Sequence, residues 1–510
     1  MACSVWSGTV LGVEGCAVAV EVDLVRRLPR TLVVGLAGKA TKESVERVRS
    51  AIVASGAEYP RKRVTVNLAP ADLPKVGTGF DLPIAVAILA AGDDELAAAL
   101  SRTFLIGELS LGGQLRPIRG ALPLTLLAAE LGLARVILPA GCAAEGAVVP
   151  GIEVLAARDL AQVLDMLRGG APLPAAQPDP PAAITHSADL ADVRGQALAR
   201  RGLEVAAAGG HNLLLVGPPG CGKTMLASRL ATILPPLDFD EALAVTRIHS
   251  VAGLLAPGEG LVSQRPFRAP HHSVSTAGLL GGASLRPGEL SLAHCGVLFL
   301  DEIPEFPRRV LEQLRGPLED REVVIARAAG TVRLPASCTL VAAANPCPCG
   351  YLGHPTRPCR CPESAVRRYA SRLSGPLLDR IDLHVAVDPV PPEELLGRPR
   401  GASSSQVRGR VLSARRMQAA RYADAPFNCN AELDGPAVRQ ASQLAEPARR
   451  LLQDAATRLG LSGRGCDRVL KVARTVADLD ASAPVMLPHV AEALGFRGQD
   501  RVPQTLSATA

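Results

Sequence analysis

Residues 211–224, HNLLLVGPPGCGKT, hold the densest chemistry in the chain. Four apolar residues read as a short buried strand, and a glycine turn and a helix-patterned stretch, MLASRLATIL, follow. Backbone N–H groups of Gly217, Pro218, Pro219, Gly220, Cys221 and Gly222 (the prolines aside) can curl around a polyphosphate at a helix N-terminus. Lys223 would reach the β- and γ-phosphates, and the Thr224 hydroxyl would hold Mg²⁺. The chain has 6 lysines against 49 arginines, and Lys223 is the sole lysine between Lys75 and Lys471. A lone lysine where a flexible point charge is wanted on phosphate argues for ATP, against a bare glycine turn.

Three further strand ends extend this site. GVLFLDE (296–302) ends in Asp301, suited to the Mg²⁺ shell, and Glu302, suited to polarising water. The strand at 338–344 ends in Asn345, which could orient that water or merely form the turn before Pro346. In LLDRID (377–382), Arg380 either pairs with Asp379 or Asp382 or reaches a neighbouring subunit's nucleotide; the residues alone favour the pair.

Cys347, Cys349, Cys359 and Cys361 form CxC–x9–CxC, a spacing suited to a structural Zn²⁺ knuckle, with His354 as a stand-in ligand and a reduced surface loop as the alternative. Ser263–Ser275, SQRPFRAPHHSVS, gathers Arg265, Arg268, His271 and His272 with no acid nearby in sequence, and a candidate hairpin over 322–334 carries Arg327 and Arg333. These groups suit either a phosphate backbone or a subunit contact.

The elements that must position these groups divide the chain into about three domains. Residues 1–167 alternate strand-like runs (17–25, 31–36, 63–68, 103–109, 135–138) with helical ones. A helix spans 41–54, Asp81 caps another, and a hairpin turns at Gly112-Gly113. The Pro-rich segment within 168–187 reads as a semi-stiff linker. Residues 188–392 form an α/β core, with the knuckle loop at 345–362. Residues 403–498 read as all-helical, over 407–421, 445–460, 466–479 and 487–494, and 499–510 as a patternless tail. A net charge of +6 permits a polyanionic partner, while aromatics at 3% argue against base-stacking platforms. No basic-then-apolar leader is visible and the longest apolar run, 82–91, cannot span a bilayer, so a cytoplasmic protein without membrane contact is expected. Its 12 cysteines are then not a disulfide framework.

The order GPPGCGKT, GVLFLDE, AAANP, LLDRID and SGRGCDRVLKVART resembles the AAA+ ATPases. RPFRAPHHSVS, PGELSLAHCGVLFLDEIPEF and NPCPCG resemble the YifB/ComM family of magnesium-chelatase-like ATPases over nearly the whole chain. The resemblance implies an N-terminal Lon-protease-like (ribosomal S5 domain 2-like) domain, a P-loop AAA+ core and a helical lid. It implies Asn345 as sensor 1, Arg380 as a trans arginine finger and Arg464 as sensor 2, with Arg468 as rival. It further implies a homohexameric, Mg²⁺-dependent ATPase that migrates single-stranded or branched DNA during natural transformation. Two alternatives stand beside it: a magnesium-chelatase motor subunit, and an ATP-dependent Lon-like protease. The protease is disfavoured because Gly79 stands where the nucleophilic serine would.

Overall fold

The computed structural model describes residues 2–35, 39–75, 77–179, 188–282, 285–327, 330–396 and 401–497. Its N-terminal part is built on a seven-stranded mixed sheet in the order Arg30–Val34, Arg63–Ala69, Glu14–Val25, Ala2–Leu11, Thr103–Leu105, Arg135–Pro139, Glu153–Ala157. The first and last strands in sequence carried too little alternation to be read in advance. Helices Lys39–Ala54 and Asp81–Ala90 pack on the sheet through Val48, Ile52 and Ile84. Asp81 is not a cap: Phe80 holds that position without a side-chain bond. The Asp81 carboxylate instead accepts from Arg47 Nε at 3.0 Å and from the Leu109 amide at 3.2 Å. The turn at Gly112-Gly113 forms as the sequence suggests, between the paired segments Glu108–Leu109 and Leu115–Arg116.

The segment expected as a semi-stiff linker is partly paired. The Ala156 amide donates to Pro174 O and Ala176 donates to Val154 O, so it runs along the sheet edge, with Leu173 buried. Residues 180–187 and the 499–510 tail lie outside the described residues.

The second sheet is parallel throughout, in the order Phe267–Arg268, Val297–Leu300, Thr339–Ala344, Leu213–Val216, Leu383–Ala386. Its strands are buried on both faces, hence their unbroken apolar runs. Successive side chains alternate between two cores. Leu213, Leu215, Phe299, Val341 and Val385 face one core, formed with helices Ala197–Gly209, Lys223–Ile233 and the C-terminal helices. Leu214, Leu298, Leu300, Leu340 and Ala342 face the other, with Ile303, Leu311 and Ile381.

The C-terminal helices are Ser404–Arg421, Gly435–Ser442, Glu446–Leu459, Gly463–Leu479 and Leu487–Gly495. The unexpected one, Gly435–Ser442, starts at Asp434, whose side chain accepts from the Ala437 amide, with Pro436 in the first turn. Val411, Val472 and Val476 join the first of the two cores, so these helices pack along the sheet's flank.

Candidate nucleotide site

Parallel strands bring their C-terminal ends to one edge, and four expected residues meet there. Gly217 follows Val216 so closely against Val387 O that a Cβ would sit 2.1 Å from it. Gly220 and Gly222 take φ +79° and +91°, which favour glycine and turn the loop into the helix beginning at Lys223. The Lys223 ammonium is buried. It donates to Gly217 O at 2.7 Å, Pro218 O at 2.9 Å and Asn345 Oδ1 at 3.0 Å. Asn345 thus reaches the lysine across the sheet.

The Thr224 hydroxyl donates to Asp301 Oδ2 at 2.8 Å. Neighbouring ligands of an octahedral Mg²⁺ with bonds near 2.1 Å lie about 2.9 Å apart, so the two oxygens fit a shared Mg²⁺ shell. Glu302 is exposed at φ +50°, and its carboxylate makes no hydrogen bond or ion pair among the described residues. A residue not anticipated, Tyr369, lies buried beside Asn345. Burial and then the Glu305 charge push its phenol up to about 12, so it stays protonated at neutral pH.

The four cysteines converge next to this loop. Their sulfurs all lie within 4.8 Å of one another, with Cys347–Cys349 at 3.4 Å and Cys359 at 3.6 Å from each. A tetrahedron with Zn–S bonds near 2.3 Å has edges of about 3.8 Å, so the set fits Zn²⁺. Amides of Tyr351 and Arg360 draw the Cys349 thiol down to about 6, supplying a thiolate at neutral pH. His354 stands outside this cluster, its Nδ1 accepting from the amides of Thr356 and Arg357. The knuckle touches the phosphate loop: a Cβ on Gly350 would meet Pro219 Cδ at 2.4 Å.

Arg380 lies at the other end of the sheet, just before Leu383–Ala386. Strands of four residues put roughly 13 Å between the two ends. The pairing favoured from its neighbours does not form. Asp379 binds Arg468 at 3.3 Å and Asp382 binds His211 Nδ1 at 2.9 Å, while Arg380 pairs with Glu319 at 2.6 Å. Arg380, Arg464 and Arg468 all line one cleft of about 1000 Å³ at this end. Arg464 is exposed and unpaired among the described residues. None of the three faces the Lys223 loop of its own chain.

The family models described as "Magnesium chelatase, subunit ChlI", "Subunit ChlI of Mg-chelatase" and "Magnesium chelatase, subunit ChlI C-terminal" match residues 189–395, 20–141 and 401–497. The chain is 44% identical over 511 residues to the competence protein ComM of Haemophilus influenzae, covering 99% of each chain. It is 44% identical over 496 residues to the uncharacterized protein YifB of Escherichia coli, covering 96% of each. An uncharacterized protein of Mycobacterium tuberculosis is 45% identical over 496 residues, covering 96% of this chain and 98% of that one. The chain belongs to the YifB/ComM family of magnesium-chelatase-like proteins. Its parallel sheet and C-terminal helices fit the AAA+-like magnesium-chelatase fold.

In this YifB/ComM chain the segment around Arg265 departs from its sequence reading. Acids distant in sequence reach both arginines. Arg265 donates to Glu241 at 2.6 Å and to the carbonyls of Pro235 and Cys295, and Arg268 grips Glu289 through Nε at 2.7 Å and Nη2 at 2.9 Å. Both guanidiniums are therefore occupied by carboxylates of their own chain. The His271 and His272 rings lie 4.0 Å apart and tilted by 35°, and His272 packs edge-on to Phe306. The expected hairpin forms as Glu322–Arg327 against Gly330–Pro335. Arg333 pairs with Glu322, while the Arg327 side chain and the 328–329 turn lie outside the described residues. Val332 and Leu334 share a core with Val13, so one face of the hairpin packs on the N-terminal part. Among the described residues no helix is long and apolar enough to cross a membrane.

Proposed function

We propose that this chain is a Mg²⁺-dependent ATPase that works as a homohexameric ring and migrates branched DNA, as expected for recombination during natural transformation. The observation that carries the ATPase reading is the meeting of Lys223, Thr224, Asp301 and Asn345 at one sheet edge, with Glu302 next in the chain after Asp301. Lys223 would leave its loop carbonyls for the β- and γ-phosphates while Asn345 keeps it aligned. Thr224 and Asp301 would hold Mg²⁺, which when bound neutralises charge on the β- and γ-oxygens. Glu302, free to accept a proton, would orient and polarise water.

Arg380 serves the neighbour's site, because it lies at the far end of its own sheet, and Arg464 and Arg468 flank it on that face. The ring follows, since each site needs two subunits. Such a chain comprises a Lon-like unit over 1–167, a core over 188–392 and a lid over 403–498. The Lon-like unit is a scaffold, because Gly79 offers no hydroxyl where the protease nucleophile would stand. Zn²⁺ on the four thiols would be structural, bracing Pro219.

The DNA role draws on the competence protein's name and on the net charge of +6. A chelatase motor is the second reading, favoured by the family descriptions, which extend to residues 20–141 and so remove the N-terminal part as an objection. ATP turnover with and without forked DNA, beside Lys223→Ala, separates the two. The DNA motor is stimulated by the fork, and a fork-insensitive ATPase contradicts it.

A further inference from the structure

A second basic locus lies far from the nucleotide site. Arg26, Arg27 and Arg30 occupy the turn from Glu14–Val25 into the edge strand Arg30–Val34, and Arg61, Lys62 and Arg63 lead into Arg63–Ala69. Parallel pairing sets Arg30 opposite Arg63, and antiparallel pairing sets Val25 opposite the same residue. Two basic runs remote in sequence thus become one corner across three adjacent strand ends. Arg49 joins them, its guanidinium 5.7 Å over the Tyr59 ring, whose hydroxyl lies 2.7 Å from Thr31 Oγ1.

Five of the six side chains are exposed and Arg63 is half-buried. None of the six makes a side-chain hydrogen bond or ion pair among the described residues, in contrast to Arg265, Arg268 and Arg421, which are bound by carboxylates. The nearest acids along the chain, Asp23 and Glu58, leave a clear excess of positive charge. At the tip of the turn stands Leu28, 89% exposed between Arg27 and Pro29.

We propose that this corner is a nucleic-acid docking surface, its guanidiniums gripping consecutive phosphodiesters and Leu28 lying against a base or sugar face. Three strand ends span about 10 Å, which matches roughly three phosphates of one strand. Guanidinium forks suit phosphate oxygens, and an aliphatic tip among cations is the arrangement used to wedge base steps. A membrane is the poorer fit, since a single leucine offers little apolar area to a bilayer. The inference rests on the DNA half of the function proposed above, but needs no ATP turnover.

The test uses the full chain carrying Lys223→Ala and a fluorescent forked oligonucleotide, with anisotropy read from 50 to 200 mM salt. Adding R26A/R27A/R30A should lower the slope of log K against log salt by about 2 to 3 and weaken binding about tenfold at the upper end of that range. The matching Arg→Lys triple should keep the slope, and Leu28→Ala should weaken binding with the slope unchanged. An unchanged slope in the alanine triple overturns the proposal. So does loss of oligomer with DNA binding intact, which would make the corner a subunit contact, or selective capture of phosphatidylserine vesicles. Leu28→Ala binding like its parent overturns the base contact. A parent protein that binds no fork contradicts the DNA motor itself, a result distinct from any of these.

Discussion

In the proposed ATPase, Lys223 and Glu302 would divide two tasks that a single assay can separate. Lys223→Ala should abolish tight ATP binding along with turnover, because no other cation meets the loop among the described residues. Glu302→Gln keeps the loop intact and removes only the proton acceptor, so ATP binding should persist while kcat falls about 10²- to 10⁴-fold. Equilibrium binding of a fluorescent ATP analogue, measured beside turnover, checks both. Their placement was legible because Glu302 closely follows an apolar strand and Lys223 opens a helix after a glycine turn at a strand end. The pairing of Arg380 was not, since Glu319 and Arg468 lie on other elements and only the fold brings them near. The same reason hid Glu241 and Glu289, which occupy the two arginines expected to be free.

Elements meet at His211, fully buried where the chain enters the phosphate-loop strand. Its ring bridges Asp382, next to the Arg380 segment, at 2.9 Å and Thr475 of a C-terminal helix at 2.7 Å. Asn430 carries the network on to Asp478, which also binds Arg421 and Arg474. Removing one member of such a buried set leaves a carboxylate unpaired, so His211→Ala should cost roughly 3 to 5 kcal/mol in denaturant unfolding. The knuckle gives a second expectation at this scale. Elemental analysis should find about one zinc per chain, and Cys349→Ser should lower it and raise KM for ATP through the Gly350–Pro219 contact. Helices could be read from periodicity and the core strands from short unbroken apolar runs. The edge pairing of residues 173–176 could not, because proline-rich sequence looks the same whether it is bound or free.

Across the whole molecule, the N-terminal part docks on the core through Val13, the Gly120 amide on Ser250 O at 3.2 Å, and Arg247 on Glu14 at 3.1 Å. Glu145 is buried at this junction near Ser250, and burial raises its carboxyl to about 7. Because the folded pKa exceeds the ordinary value of 4.5, folding takes up a proton between about 4.5 and 7, and stability falls as pH rises through that window. Glu145→Gln should therefore stabilise by up to about 3 kcal/mol above pH 7 and by almost nothing near pH 4.5, read as Tm against pH. Completion of each proposed nucleotide site by the next subunit is tested by mixing Lys223→Ala with Arg380→Ala. Each alone should turn over ATP about 10³-fold or more below the unmodified protein, and the mixture should regain a substantial fraction as intact loop meets intact finger. A mixture as inactive as its components, or an Arg380→Ala protein fully active as a monomer, would contradict it.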